Sequence, residues 1–314
     1  MPQDCKELRE SVLACLPSFV IEDVAQPSGQ RVVYFGHFDG SLVPSDIPPE
    51  SGFLHGWDSW GRVVLKVVAG ATPSELTRFQ AESSLLEELR MPSFPRLHFA
   101  DYFSTDPVTE IPFSSPLYLT IEEFIESVPL SACMSNYAGD YRAVCKLMVG
   151  IVDGLAPLWN HKRRFVHRDI KPANLLIRPS GEVVVIDLGI LRETGAVGVT
   201  SDGWGKAPLT VDYAAPEQIA NDKDAIGFRT DFFALGVLMY QLISQTHPFR
   251  TGPYMSDYDV AMQVEKHEPP SLSQLLCAPD SVSELVAKLM QKAPHRRPRT
   301  IEDLRSRLLQ VGRV

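Results

Sequence analysis

Two spacings of apolar residues divide the chain. In the first third, "RVVYFGHF" (31–38) and "GRVVLKVVAG" (61–70) are rich in β-branched and aromatic residues and bounded by Gly, Pro and Ser, which predicts strands. A helix is predicted over 74–89, where "SELTRFQAESSLLEEL" sets Leu76, Phe79, Leu85, Leu86 and Leu89 at helical spacing behind a Thr-Pro-Ser start. "LYLTIEEFI" (117–125) predicts one more strand. Beyond it, "YRAVCKLMVGIVDGLAPLW", "DFFALGVLMYQLI", "SELVAKLMQK" and "TIEDLRSRLLQ" carry the helical period. A β-rich front and an α-rich back predict an α+β chain of two lobes: a helical extension over 1–18 with an amphipathic helix near Cys5–Leu16, a first lobe over 19–126 and a second over 127–314. The Pro- and Gly-rich run from His37 to Gly61 is predicted to be a long surface loop.

Composition narrows the chemistry. The 314 residues suffice for two sizeable cores, and the net charge of −9 supplies no basic field for nucleic acid or an anionic membrane. A charged ligand would need locally placed cations. The five cysteines are scattered without a CxxC pair, which fits reduced thiols in a cytoplasmic setting. The strongest apolar run, "FFALGVLMY" (232–240), falls short of a membrane span, and the early "SVLACLPSFVI" follows Asp4, Glu7 and Glu10 and is interrupted by Pro17, unlike a signal-peptide core.

"FVHRDIKPANLLI" (165–177) sets basic residues, an acid, a Lys-Pro pair and an Asn between apolar flanks, just before "LLI-RPSG-EVVVIDLG". Two short apolar runs joined by a Pro/Ser/Gly turn predict a β-hairpin. In an antiparallel hairpin the start of one strand lies beside the end of the other, so Asn174 and Asp187 should be neighbours, with Asp169 just upstream. Carboxylates, an amide oxygen and the Lys171 ammonium converging in this way suit Mg2+ carrying phosphate oxygens.

With "DLG" at 187–189 and "APE" at 215–217, in this order and spacing, "HRDIKPAN" resembles the signature set of the protein kinases, most like the eukaryotic-type serine/threonine kinases of bacteria. The resemblance spans about Phe19 to Leu309 and implies one bilobal domain with ATP and Mg2+ in its cleft. It implies that Asp169 accepts or orients the substrate hydroxyl proton, that Asn174 and Asp187 bind Mg2+, and that Lys171 neutralises the transferring phosphoryl group. Lys66, a cation within an apolar strand, corresponds to the family's strand lysine and is expected to pair with Glu82 on the following helix. Adenine is expected between Val33 and Val64 on one side and Leu176 on the other.

One motif departs from the family. Its glycine-rich loop is G-x-G-x-x-G-x-V, whereas this chain reads "QPSGQRVV", with Gln26, Ser28 and Arg31 at the glycine positions and only Gly29 inside the turn. Weaker nucleotide binding is expected, with Arg31 as an exposed strand-end residue or a phosphate contact. Asp231 resembles the helix Asp that braces the catalytic loop, and Arg297 the partner of Glu217. Lys171 points to protein substrates with Ser/Thr acceptors, and the resemblance makes Thr200 and Ser201, with Thr194 as a further acceptor, candidate activation-segment phosphosites. A pseudokinase scaffold and a small-molecule phosphotransferase are the alternatives. Retention of Lys66, Asp169, Asn174 and Asp187 weighs against the first, and "APE", Asp231 and Arg297 weigh against the second.

Overall fold

The computed structural model describes residues 4–25, 31–42, 57–188, 192–193 and 210–313. The chain divides into two compact units, Met1–Ile125 and Glu126–Val314.

The first unit runs α1 (Lys6–Cys15), β1 (Phe19–Val24), β2 (Val32–Phe38), β3 (Arg62–Ala69), α2 (Pro73–Leu89), β4 (Leu97–Thr105) and β5 (Pro112–Glu123). Its antiparallel sheet has the order β1-β2-β3-β5-β4. Alternation gives the sheet two chemistries. Val32, Tyr34, Val63, Leu65, Val67, Leu117, Leu119 and Ile121 face a core that α1 completes with Leu8, Val12 and Cys15. The residues between them, Val33, Val64, Lys66, Thr120 and Glu122, lie on the opposite face. The N-terminal helix is therefore part of this core, and polar ties hold it there: the Tyr34 hydroxyl donates to Asp4 Oδ1 at 2.8 Å and Ser114 Oγ to Glu7 Oε1 at 2.7 Å.

Helix α2 starts one residue before the predicted helix, at Pro73, because Thr72 and Glu75 form a capping box and proline suits the first helical position. Strands β1 and β4 are additions to the sequence reading. The "LHFADYFST" of β4 puts an acid, Asp101, among its aromatics and lies at the sheet edge, where alternation is weakest. The described ends of the 37–61 run depart from the expected surface loop, since Trp57 is buried, meets Phe38 edge-on at 5.1 Å between ring centroids and stacks on Trp60 at 4.9 Å. Aromatic area of that size drives the return of the chain onto the core.

The second unit contains β6 (Val128–Pro129), α3 (Leu130–Cys133), α4 (Tyr141–Trp159), β7 (Phe165–Val166), β8 (Leu175–Ile177), β9 (Val183–Val185), β10 (Arg192–Glu193), α5 (Pro216–Ile219), α6 (Phe228–Ser244), α7 (Asp257–Lys266), α8 (Leu272–Leu276), α9 (Asp280–Leu289) and α10 (Ile301–Val311). Helix α6 is apolar nearly all round and buried from Thr230 through Tyr240, as a central helix must be. Gly236 lets α9 approach it: a Cβ there would stand 2.7 Å from Leu289 Cβ and 2.8 Å from Met290 Cγ. Trp159 of α4 meets Phe232 of α6 edge-on at 5.4 Å, so the two helices that support the polar 165–188 segment are locked to each other. No helix among the described residues is long and apolar enough to cross a membrane.

Candidate active site

Residues 167–174 form a polar loop whose backbone is held from beneath. Asp231, fully inside α6, accepts from the backbone N–H groups of His167 and Arg168, each at 2.8 Å, and from Trp159 Nε1 at 2.7 Å. Burial pushes its carboxyl above the ordinary range, opposed by the nearby His167 and by these three donors. Arg168 needs the support, because its φ of +68° is a left-handed conformation that costs a non-glycine residue on the order of 1 kcal/mol. The brace expected of Asp231 thus acts on the residue before Asp169. His167 packs fully buried and its Nδ1 accepts from the Asp169 N–H at 3.3 Å.

Asp169 is 8% exposed. Its Oδ2 accepts from Asn174 Nδ2 at 2.9 Å and lies 2.7 Å from Lys171 Nζ, while Oδ1 is buried and has no hydrogen-bond partner among the described residues. An orphaned buried carboxylate oxygen is costly, and it is the atom suited to receive a hydroxyl from outside. Lys171 also donates to the Thr210 hydroxyl at 2.9 Å.

The hairpin forms as predicted, with Leu175 opposite Val185, Leu176 opposite Val184 and Ile177 opposite Val183. Its ladder extends one bond further, from Ile186 N to the Asn174 carbonyl at 2.9 Å, and this brings Asp187 beside Asn174. Asp187 has φ +64°, so the chain turns sharply as it leaves the hairpin. Asn174 donates its amide hydrogens to Asp169, to the backbone carbonyl as well as to Oδ2, both at 2.9 Å. Its amide oxygen is then left as a hard donor, and an amide oxygen together with the carboxylate of Asp187, one residue past the last ladder bond, is a donor set whose chemistry suits Mg2+ completed by water and phosphate oxygens. Among the described residues no group of three His, Cys, Asp or Glu side chains could hold a metal by itself.

In the first unit the expected pairing of Lys66 with Glu82 is corrected. Lys66 Nζ lies 2.8 Å from Glu122 Oε1, and Glu82 forms a two-pronged pair with Arg31, whose Nη1 donates to Oε1 at 3.1 Å and whose Nη2 donates to Oε2. Register explains the difference. Lys66 stands opposite Thr120, which puts Glu122 two residues along on the same face and within reach of a long side chain. Arg31 is likewise not an exposed strand end: its side chain is 14% exposed and its guanidinium sits 4.7 Å from the centroid of the Phe79 ring. Val33 lies beside Lys66 across the β2–β3 ladder, Val64 follows on the same face, and both are half-buried. Leu176 is half-buried on β8 of the second unit, and Gln26, Ser28, Gly29, Gly189, Thr194, Thr200 and Ser201 lie outside the described residues.

Glu122 was missed by sequence reasoning, although the alternation of "LYLTIEE" held the signal: Leu117, Leu119 and Ile121 enter the core, leaving Tyr118, Thr120 and Glu122 for the other face. Knowing that this face meets Lys66 requires the β3–β5 register, which the chain reaches only after α2 and β4. Farther along, Arg297 and Glu217 form the expected buried pair at 2.6 and 2.8 Å, and Gln218 Nε2 donates to the Arg168 carbonyl at 2.9 Å. The "APE" segment is thereby fastened to the loop that carries Asp169.

A family profile described as "Protein kinase domain" matches residues 59–308. Serine/threonine-protein kinase PknA of Mycobacterium tuberculosis is 30% identical over 240 residues, covering 76% of this chain and 51% of that protein. A probable serine/threonine-protein kinase of Streptomyces coelicolor is 28% identical over 262 residues, covering 78% of this chain and 38% of its own length. PknB of Mycobacterium tuberculosis is 27% identical over 251 residues, covering 79% and 38% respectively. The chain therefore spans about half, or less, of the length of these curated relatives.

Proposed function

Because the chain belongs to the protein kinase family, we propose that it transfers the γ-phosphoryl group of ATP, with Mg2+, to serine and threonine hydroxyls of protein substrates, itself included. The observation that carries this reading is the buried Oδ1 of Asp169, without a hydrogen-bond partner among the described residues and set beside Lys171 and Asn174 on a braced loop. The substrate oxygen forms the new bond to the γ-phosphorus and the bond from that phosphorus to the β–γ bridging oxygen breaks. ADP leaves with the electron pair, and the hydroxyl proton passes to Asp169. Lys171 would neutralise the transferring group, and its second contact to Thr210 fixes the ammonium where that charge develops. Asn174 and Asp187 would hold Mg2+, which supplies neutralisation of the phosphate oxygens. From the first unit, Lys66 is assigned to the phosphates and Val33 and Val64 to the nucleotide base. From the second unit, Leu176 is assigned to the base.

Incubating the chain with labelled ATP, Mg2+ and a generic basic protein, followed by phosphoamino-acid analysis, tests the proposal. Label on serine or threonine that disappears in Asp169→Asn is the expected result; no transfer under any metal condition would overturn it. A second reading, a nucleotide-binding scaffold without transfer, is favoured by one observation, the engagement of Glu82 by Arg31. It predicts ATP binding without label in the same incubation.

A further inference from the structure

Arg31, Lys66, Glu82 and Glu122 line one small cavity of the first unit, beside Thr120 and Phe79. Two cations and two carboxylates admit two pairings. The structure selects Lys66 with Glu122 and Arg31 with Glu82. We infer that Glu122 is the positioning residue for the Lys66 ammonium and that Glu82 belongs to Arg31, so that α2 is tethered to the start of β2 and not to β3.

Three features carry this inference. Lys66 and Glu122 project from directly paired strands, and the Lys66–Thr120 register fixes their spacing through backbone hydrogen bonds instead of through the approach of a helix. Glu82 meets a partner that matches it in shape, because the planar guanidinium reaches both carboxylate oxygens and stacks on Phe79, one turn earlier on the same helix. An ammonium could satisfy one of those oxygens at a time and would forfeit the ring contact. Charge accounting points the same way. Glu82 is 5% exposed and Glu122 3%, so moving Lys66 to Glu82 would crowd two cations onto one carboxylate and strand the other in a buried site.

The inference rests on the proposed function only in taking Lys66 as the nucleotide lysine, and its test needs no turnover. A buried ammonium that loses its counter-charge gives up its proton more readily and becomes a better nucleophile. The intact chain is acylated at about pH 8 with a small succinimidyl ester, and the rate at Lys66 is read by peptide mass spectrometry against the 91% exposed Lys6. Glu122→Gln should speed acylation of Lys66 relative to Lys6 about tenfold. Glu122→Asp should restore part of the protection, and Glu82→Gln and Arg31→Met should leave the wild-type rate. Where the chain turns over ATP, Glu122→Gln should raise the KM for ATP more than it lowers kcat, and Glu82→Gln should not.

Acceleration in Glu82→Gln with none in Glu122→Gln would overturn the pairing. Circular dichroism of each variant guards against general unfolding, which would expose every lysine alike. Should Glu122→Gln fail to fold, Glu82→Gln still decides, because unchanged labelling supports the pairing and faster labelling refutes it. A chain that binds no ATP and transfers no phosphate would sink the proposed function while the labelling still reports which carboxylate holds Lys66.

Discussion

Lys171 holds its ammonium 2.7 Å from Asp169 Oδ2 and leaves Oδ1 of the same carboxylate without a hydrogen-bond partner among the described residues. The two oxygens therefore have different tasks: one is tied into the protein by Lys171 and Asn174, the other is ready to accept a proton. Replacing Asp169 by Asn keeps the shape and removes the acceptor. Transfer should fall by ~10²–10⁴-fold, the usual size of a general-base contribution, with ATP affinity nearly unchanged. Quench-flow kinetics beside calorimetric ATP titration separates the two effects, and near-full turnover in the variant would mean that Oδ1 receives no proton.

Asp187 and Asn174 sit side by side at the open end of the hairpin, yet they should contribute unequally. A carboxylate brings a full charge to Mg2+ and an amide only a dipole. Asp187→Ala should abolish the Mg2+-dependent part of ATP binding, whereas Asn174→Ala should weaken it and also loosen Asp169, whose Oδ2 and carbonyl lose their amide donor. Titrations with and without Mg2+ measure the difference. Metal-independent affinities that are the same in all three proteins would remove both residues from the metal site.

The Glu217–Arg297 pair makes a prediction about stability. Arg297 is 1% exposed, and its guanidinium also donates to the carbonyls of Arg229, Gln291 and Lys292. Arg297→Met should destabilise the second unit by about 3–5 kcal/mol, because it leaves Glu217 charged and buried. Adding Glu217→Gln to that variant should recover part of the loss. Urea unfolding of the single and double variants provides the measurement, and a single-variant loss below about 1 kcal/mol would show that the pair is not what fastens this segment.

Thiol chemistry tests the docking of α1. Burial pushes the Cys15 thiol up to about 12 and that of Cys145 to about 11, while Cys5 and Cys277 are exposed. A thiolate-selective reagent near neutral pH should modify Cys5 and Cys277 quickly and reach Cys15 and Cys145 only when their surroundings open. Asp4→Ala together with Glu7→Ala removes two ties of α1 to the sheet and should speed modification of Cys15 while Cys145 keeps its protection. Equal protection of Cys15 in both proteins would mean that the apolar face alone holds the helix.

What was legible in the sequence was local. The hairpin around Asn174 and Asp187 could be read because its turn and both strands lie within a short span, and the β-branched run of 61–70 marked β3 as a strand. The partner of Lys66 could not be read, since it depends on a register set across α2 and β4, and the family pattern supplied Glu82 in its place. Arg31 was misread for a related reason. An arginine before a strand looks like a surface residue until a helix more than forty positions later presents a phenyl ring and a carboxylate to it.

The matched family profile opens at residue 59, but the sheet does not. Strand β2 pairs with β3 from Val32 opposite Val67 to His37 opposite Arg62, and α1 lies over the apolar row that β3 presents. A recombinant fragment trimmed to residues 59–308 would make β3 an open edge, with Val63, Leu65 and Val67 bare to water beside unsatisfied backbone groups. Such an edge pairs with the next copy of itself, so the trimmed fragment should accumulate as insoluble material where the full chain does not.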